Sequence, residues 1–228
     1  MIKKRFIPII IIIMMMFSGC NKTYDYNGYE EITTAIENYE KLSSAKIFVY
    51  DIDENYTMAE FTFQIDENKN MLYNYVGKED NVVYKEYHNG KELYYTTDGK
   101  WADEYLSSGE NGYYGYSDTH RHSMASADIF YKNDYAVAES DVKAYGDDTK
   151  IILTFDPAKV NETAEKTVEE KGKFVSLKTE YVISDGQISQ YIQSAEFEKD
   201  NEVYKESIKV EIKECDKPQN IEKPDELG

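Results

Sequence analysis

Two hydrophobic periodicities alternate along the chain and predict an α+β protein made mainly of antiparallel strands. Over residues 30–43 the apolar positions recur every three or four residues, which predicts an amphipathic helix. The members of this stripe are Ile32, Ala35, Ile36, Tyr39 and Leu42. After Ser44 the period falls to two, the spacing of half-buried strands. The strands predicted in this half of the chain cover residues 47–52, 57–66, 71–76, 82–88 and 91–97.

Asn89–Gly90 separates the last two of these strands and predicts a tight hairpin. A two-residue turn at that dipeptide would place Tyr87 opposite Glu92, and Tyr84 opposite Tyr95. Beyond residue 107 the pattern is interrupted by a long irregular segment, which extends to residue 123. A short helix is predicted over residues 125–132, followed by strands over 142–145 and 151–155.

The last third of the chain begins with a second helix and ends with three long strands. Asp156 and Pro157 are suited to the first positions of that helix, and Gly172 to its end. Its narrow apolar stripe consists of Val160, Ala164 and Val168. Strands are predicted over residues 174–184, 187–199 and 202–214, with one apolar and one charged face. The predicted apolar face contains Val175, Leu177, Tyr181, Ile183, Tyr204, Ile208, Val210 and Ile212.

The first twenty residues are typical of an exported, lipid-anchored protein. Three cations precede an apolar run over residues 6–17, which is too short to cross a bilayer and resembles a secretory signal peptide. The run ends in Phe17-Ser18-Gly19-Cys20, which resembles the lipobox of bacterial lipoproteins, where a diacylglyceryl group is attached to the cysteine. We therefore expect a signal peptide over 1–19, acylation of Cys20 and a location on the extracytoplasmic face of the cell membrane. An uncleaved anchor with a chance cysteine is the alternative.

The remaining chain is expected to consist of a tether over 20–29, a single domain over 30–216 and an extended tail over 217–228. Its composition limits its partners: 26 Lys and Arg stand against 44 Asp and Glu, for a net charge of −18. Such acidity excludes nucleic acid as a partner, because nucleic-acid binding depends on cations that neutralise phosphates. Two cysteines cannot form a disulfide framework, and Cys215 lies between Glu214 and Asp216, which disfavours a reactive thiolate.

The order of these elements resembles the LolA/LolB and LppX/LprG-type bacterial lipoprotein superfamily and its Gram-positive relatives. Three local patterns carry the resemblance: Tyr-Tyr-Thr-Thr-Asp-Gly-Lys-Trp over 94–101, Thr-Glu-Tyr-Val-Ile-Ser-Asp-Gly over 179–186 and Asp-Lys-Pro-Gln-Asn-Ile over 216–221. The resemblance implies an unclosed (half) β-barrel or strongly curved sheet with helices over its concave face. It also implies a carrier of lipid or another apolar ligand rather than an enzyme.

In such a fold the cavity would lie between the apolar face of the sheet and the two helices. The candidate lining residues are Phe61, Phe63, Ile65, Val175, Leu177, Tyr181 and Ile183. Val160, Ala164 and Val168 would close the cavity as a lid. The alternative is a non-enzymatic surface lipoprotein that engages a protein or glycan through the aromatic loop residues Tyr113, Tyr114 and Tyr116.

No pattern in the sequence predicts catalysis, a metal or a cofactor. Asp118, His120 and His122 lie close together, but a solvated loop is the favoured interpretation over a metal site. Two calcium-loop-like segments, which begin at Asp51 and Asp66, lack the glycine and glutamate that calcium loops need. Nucleophile and phosphate-loop motifs are absent from the sequence.

Overall fold

The architecture is taken from a computed structural model, which describes residues 24–79, 82–90, 92–97, 99–101 and 121–227. In the first part of the chain, one helix precedes six strands. These are α1 (Tyr29–Glu40), β1 (Ser44–Asp51), β2 (Tyr56–Ile65), β3 (Met71–Glu79), β4 (Val82–Asn89), β5 (Leu93–Thr97) and β6 (Lys100–Trp101). The second part contains β7 (Val137–Tyr145), β8 (Asp148–Phe155), α2 (Pro157–Thr163), α3 (Glu165–Lys171), β9 (Lys173–Ser184), β10 (Gln187–Lys199) and β11 (Glu202–Lys213).

The strands form one antiparallel sheet in the order β6-β5-β4-β3-β2-β1-β11-β10-β9-β8-β7. In the described residues the sheet does not close on itself, since β6 and β7 are its two edges. The predicted α+β class with an unclosed, mainly antiparallel sheet is therefore confirmed. None of the helices in the described part of the chain is both long and apolar enough to cross a bilayer.

Residue contacts divide the chain into two compact units. Unit 1 contains the described residues up to Glu37 together with Ala127–Ile208, and unit 2 contains Asn38–Ser126 with the residues from Lys209 onwards. The tether over 20–29 and the single domain over 30–216 stay predictions.

In unit 2, strands β2 and β3 alternate as their sequences predict. Phe61 and Phe63 are buried on one face of β2, and Tyr73 and Tyr75 are buried opposite them on β3. Intervening residues such as Thr62 and Asn74 are half-exposed on the other face. Period-two alternation therefore gives this half of the sheet one apolar and one polar face.

The β4–β5 hairpin has a different register from the one predicted. Tyr87 pairs with Tyr94 and Glu86 with Tyr95, so the predicted pairs Tyr87–Glu92 and Tyr84–Tyr95 are wrong. The turn closes between Asn89 and Glu92, whose backbone N–H and carbonyl are 3.2 Å apart. Gly90, with φ of +90°, therefore occupies the first central position of the turn instead of the second.

The three long strands of the last third match their predicted bounds to within one residue. Two register irregularities, however, alter which side chains face inward. An extra residue lies between the pairs Phe197↔Phe174 and Glu196↔Ser176, so Val175 has no direct cross-strand partner. Phe174 is consequently buried while Val175 is 43% exposed, and the prediction that Val175 shares the face of Leu177 is wrong.

The predicted helix over 157–171 is two short helices. Asp156 caps α2 by accepting a hydrogen bond from the Ala158 N–H at 2.9 Å, as its sequence position predicts. The backbone leaves the helical conformation at Ala164, and α3 ends at Gly172 with φ of +97°. Val160 and Ala164 are buried as expected, whereas Val168 is half-exposed.

Two other predicted segments also differ in detail. In place of a helix over 125–132, two 3₁₀ turns cover Ser123–Ala125 and Ala127–Ile129. The extended tail belongs to unit 2 and packs on β2 and β3, where the Gln219 N–H donates to Gln64 Oε1 at 3.0 Å. Asn74 Nδ2 likewise donates to the carbonyl of Glu222 at 3.4 Å.

Candidate functional site: the apolar faces of the sheet

The predicted lining residues Phe61 and Phe63 of β2 are covered by a short segment that begins at Arg121. Phe61 and Phe63 are 1% and 0% exposed, and Ile65 is half-buried. The ring of His122 lies on Phe61 with centroids 4.5 Å apart and planes inclined by 20°. The guanidinium of Arg121 lies over the Phe63 ring at 5.3 Å.

Arg121 is fixed by the end of α1. Its guanidinium donates hydrogen bonds to the carbonyl of Glu40 and, at 2.7 Å, to that of Leu42. The last carbonyls of a helix have no partner within the helix and favour a cation. Arg121 therefore ties the covering segment to α1 while its own side chain packs on Phe63.

His122 caps the 3₁₀ turn Ser123–Ala125, and Tyr39 of α1 binds the same turn. The Met124 N–H donates to His122 Nδ1 at 3.1 Å, and Tyr39 donates its hydroxyl proton to the Met124 carbonyl. The remaining ring proton is then on Nε2, which lies 3.8 Å from a carboxylate oxygen of Glu86. Tyr73 donates to the same oxygen at 3.1 Å.

Burial controls the ionisation of this cluster. Burial, together with nearby His88, lowers the pKa of His122 to about 3, so its imidazole is neutral at physiological pH. Burial also raises the pKa of Glu86 and lowers that of His88. His88 packs parallel to the Tyr73 ring at 5.4 Å, and its Nδ1 lies 2.7 Å from the Met71 carbonyl oxygen.

The cluster is a packed polar network of two histidines, a tyrosine and a carboxylate. No group of three potential metal ligands occurs among the described residues. The interpretation of His122 as part of a solvated loop is wrong, because its side chain is only 11% exposed. Asp118 and His120 lie outside the described residues.

In unit 1, a second segment covers the predicted lining residues of β9. Leu177 and Tyr181 are each 1% exposed, and Ile183 is also buried. The Tyr131 N–H donates to the Tyr191 hydroxyl at 3.0 Å, and Tyr181 donates to the Tyr131 carbonyl at 3.2 Å. Burial raises the pKa of Tyr131 to about 12 and also raises the pKa of Tyr181.

Aromatic packing also holds the second covering segment, which contains Phe130 and Tyr131. Phe130 meets the ring of Tyr191 edge-on at 5.3 Å, and Tyr131 meets Phe155 in the same way at 5.0 Å. Of the predicted lid residues, Val160 and Ala164 are buried in the same unit. Of the predicted lining residues, Phe61, Phe63 and Tyr181 thus contact side chains of the covering segments, whereas Val175 is exposed.

A groove of about 460 Å³ lies elsewhere in unit 1 and contains none of the predicted lining residues. It is bounded by Tyr24–Asn27 and by residues from Asp134 to Ser140. Tyr26 crosses it and donates to Asp134 at 2.8 Å. Its carboxylates and phenols make it a polar surface, unlike the apolar faces described above.

The covering residues Arg121, His122, Phe130 and Tyr131 were not predicted as part of the site. Two signals in the sequence could have indicated them. Arg121 is one of only two arginines in a lysine-rich chain, which suggests a fixed guanidinium. Phe130 and Tyr131 follow Ile129 and form an aromatic pair directly before the polar residues Lys132, Asn133 and Asp134. Cys20, Tyr113, Tyr114 and Tyr116 lie outside the described residues.

The fold and its faces define a class of protein: an unclosed antiparallel sheet whose apolar side chains are covered by short segments of its own chain. No family model matches the sequence, and no curated protein matches it. Among solved structures, the chain is similar to the crystal structure of LprF from Mycobacterium bovis, with a TM-score of 0.48 and 13% identity. The alignment covers 89% of this chain and 99% of LprF.

Proposed function

We propose that the protein is a membrane-anchored lipoprotein of the extracytoplasmic face that binds a lipid or another apolar ligand on an apolar face of its sheet. The sequence over 1–20, with its short apolar run and terminal cysteine, supports export and acylation. The apolar faces of β2 and β9 supply the surface for the ligand. Chemistry on the ligand is not part of the proposal, and the protein would act as a carrier or receptor.

One observation carries this proposal: a polar side chain, His122, covers the apolar ring of Phe61. An apolar residue at this position would pack on Phe61 without giving up hydrogen bonds to water. The imidazole of His122 gives up its hydration, and its pKa is lowered. An acyl chain on Phe61 and Phe63 would replace that contact, and His122 would regain its hydration in water. Replacing the covering residues Arg121 and His122 with a ligand therefore costs less free energy than exposing a fully apolar core to water.

The attachment of the cover is also local. Its regular structure is a single 3₁₀ turn, Ser123–Ala125, and its anchors are side-chain hydrogen bonds from Arg121 and Tyr39. If the cover must leave before a ligand binds, the apparent affinity equals the intrinsic affinity multiplied by the fraction of uncovered protein. Weakening an anchor should then increase the apparent affinity.

This consequence gives the experiment. The full chain is purified, transferred from detergent to amphipol and titrated with a fluorescent fatty acid, and a separate sample is extracted with organic solvent for lipid mass spectrometry. We expect Arg121→Met to bind the probe several-fold more tightly than the native chain. Arg121→Lys keeps the charge but loses the bidentate hydrogen bonding, so its affinity for the probe should be intermediate. Lys132→Met removes an exposed cation and is the matched control.

Equal affinity of Arg121→Met and the native chain, with both correctly folded by circular dichroism, would contradict binding under this cover. Absence of probe binding and of extractable lipid would contradict the apolar-ligand function altogether.

The tight packing of the two covered faces favours a second candidate, a surface lipoprotein that engages a protein or glycan. In that case the interior needs no cavity, and binding would depend on Tyr113, Tyr114 and Tyr116. Replacing all three with serine should abolish capture of the partner from cell-surface extracts and leave the melting temperature nearly unchanged. Unaltered capture would contradict this candidate.

A further inference from the structure

Strand β7 is an exposed edge of the sheet. In the described part of the chain it pairs with β8 and is the last strand on its side. Val142 is 42% exposed and Tyr145 is 56% exposed. Every second residue of an antiparallel edge strand directs its backbone N–H and carbonyl away from the sheet, where another strand can pair with them.

The sequence of β7 complements itself in the antiparallel direction. If two copies pair about Val142, each Asp141 lies opposite the other copy's Lys143, so two ion pairs form across the junction. Ser140 then faces Ala144, and Glu139 faces Tyr145. Pairing about Asp141 or about Lys143 would instead place two like charges directly opposite each other.

The side chains are available for these contacts. Asp141 and Lys143 already form an ion pair within the strand at 2.5 Å, and their side chains are 53% and 57% exposed. The second copy would add a carboxylate beside each ammonium and an ammonium beside each carboxylate. An isolated exposed pair contributes little, but four alternating charges on one face form a network.

We propose that β7 is a homodimer interface, in which the edge strands of two copies pair antiparallel with Val142 on the two-fold axis. The two sheets would then continue into one another. This proposal is independent of the proposed ligand, since a chain that binds no lipid can still pair through its edge strand.

The expected association is weak in dilute solution. A junction of seven residue pairs is smaller than a standard protein interface of roughly 1,200–2,000 Å². The net charge of −18 also opposes the approach of two copies at low ionic strength. Confinement to a membrane raises the effective concentration, so the dimer is best sought with the full chain in vesicles.

Disulfide trapping tests the register directly. Two residues opposite each other across an antiparallel pair have Cα atoms about 4.5–5.5 Å apart, which is within the range of a disulfide. In a Cys215→Ser background, the full chain carrying Val142→Cys is reconstituted in phosphatidylcholine vesicles and mildly oxidised. We expect a covalent dimer on non-reducing gels. Ala144→Cys is the control on the same face, since its two copies would be about 13 Å apart.

Charge exchange then tests the pairing independently of folding. In the Val142→Cys background, Asp141→Lys alone or Lys143→Asp alone creates two like-charged pairs and should lower the dimer yield several-fold. The two variants mixed in one vesicle restore both attractions, so a heterodimer of tagged and untagged chains should form. The double exchange within one chain should restore the homodimer.

Equal trapping at positions 142 and 144, or none at either, would overturn the proposal. Trapping of the single exchanges at the native yield would overturn it as well, because the proposed ion pairs would then have no role.

Discussion

The imidazole of His122 packs against the phenyl ring of Phe61, with ring centroids 4.5 Å apart and ring planes inclined by 20°. The pKa of His122 is lowered to about 3, so between that pH and about 6.5 the folded protein holds this ring neutral where an exposed histidine would be mainly charged. A charged imidazole would have to leave the face. A fall in the pH of the solvent therefore weakens the packing of the covering segment on the apolar face.

This link predicts a loss of stability on acidification. The pKa of His122 is lower in the folded chain than its unfolded value of 6.5. The unfolded chain thus binds more protons between pH 6.5 and about 3, and the contribution of neutral His122 is complete above pH 6.5 and lost as the pH falls. From pH 7.5 to 5.5 the loss is about 1.4 kcal/mol.

His122→Phe should remove this part of the slope, which urea midpoints measured over the same pH range would detect. Glu86 has a raised pKa and acts in the opposite direction at lower pH, so the range is restricted to values above 5.5. An unchanged slope in His122→Phe would show that this ring is hydrated in the folded protein.

The start of α2 provides a second prediction. The Asp156 carboxylate accepts the Ala158 N–H at 2.9 Å and satisfies one of the unpaired donors of the first turn. Asp156→Ala should cost about 1 kcal/mol in the free energy of unfolding, and Asp156→Asn, which keeps an acceptor oxygen, should cost much less. Chemical denaturation of both variants measures the difference; equal losses would mean that the cap contributes only through charge.

Local signals determined most of the secondary structure. The three long strands of the last third were predicted to within one residue, because strict alternation coincides there with strong turn pairs such as Asp185–Gly186. The same holds for Asp156 and Gly172, whose capping chemistry acts within a few residues of chain. Tertiary contacts were not required for these assignments.

Where the prediction failed, a single residue or a distant contact decided the outcome. Gly90 occupies the first and not the second central position of its turn, and this shifts the register of the β4–β5 pairing. The extra residue Val175 in β9 changes which side chains face the core, although the strand continues. A periodic sequence pattern does not reveal such a bulge. The covers depend on contacts such as Arg121 with Leu42, 79 residues apart in the sequence.

The bulge at Val175 makes a prediction that separates the structure from the sequence pattern. Strict alternation places Val175 and Leu177 on one face, but they are 43% and 1% exposed. Leu177→Ala should therefore cost about 2–5 kcal/mol through the cavity that it leaves, and Val175→Ala less than about 1 kcal/mol. Similar losses at the two positions, measured by thermal or urea unfolding, would place both residues in the core.

Gly172, at the junction of α3 and β9, offers the last prediction. Its φ of +97° is unfavourable for other residues, and a Cβ added there would lie 2.4 Å from the Glu198 carbonyl oxygen. Gly146 has φ of +64° with open space around it, so it isolates the backbone strain from the clash. Gly146→Ala should cost about 1–2 kcal/mol.

Gly172→Ala should cost more than Gly146→Ala, since the backbone of β10 would have to move away from the helix end as well. Urea unfolding of the two variants gives the comparison, and an equal cost would mean that strand β10 yields freely at Glu198. The excess cost of Gly172→Ala therefore measures how firmly this helix end is held against β10.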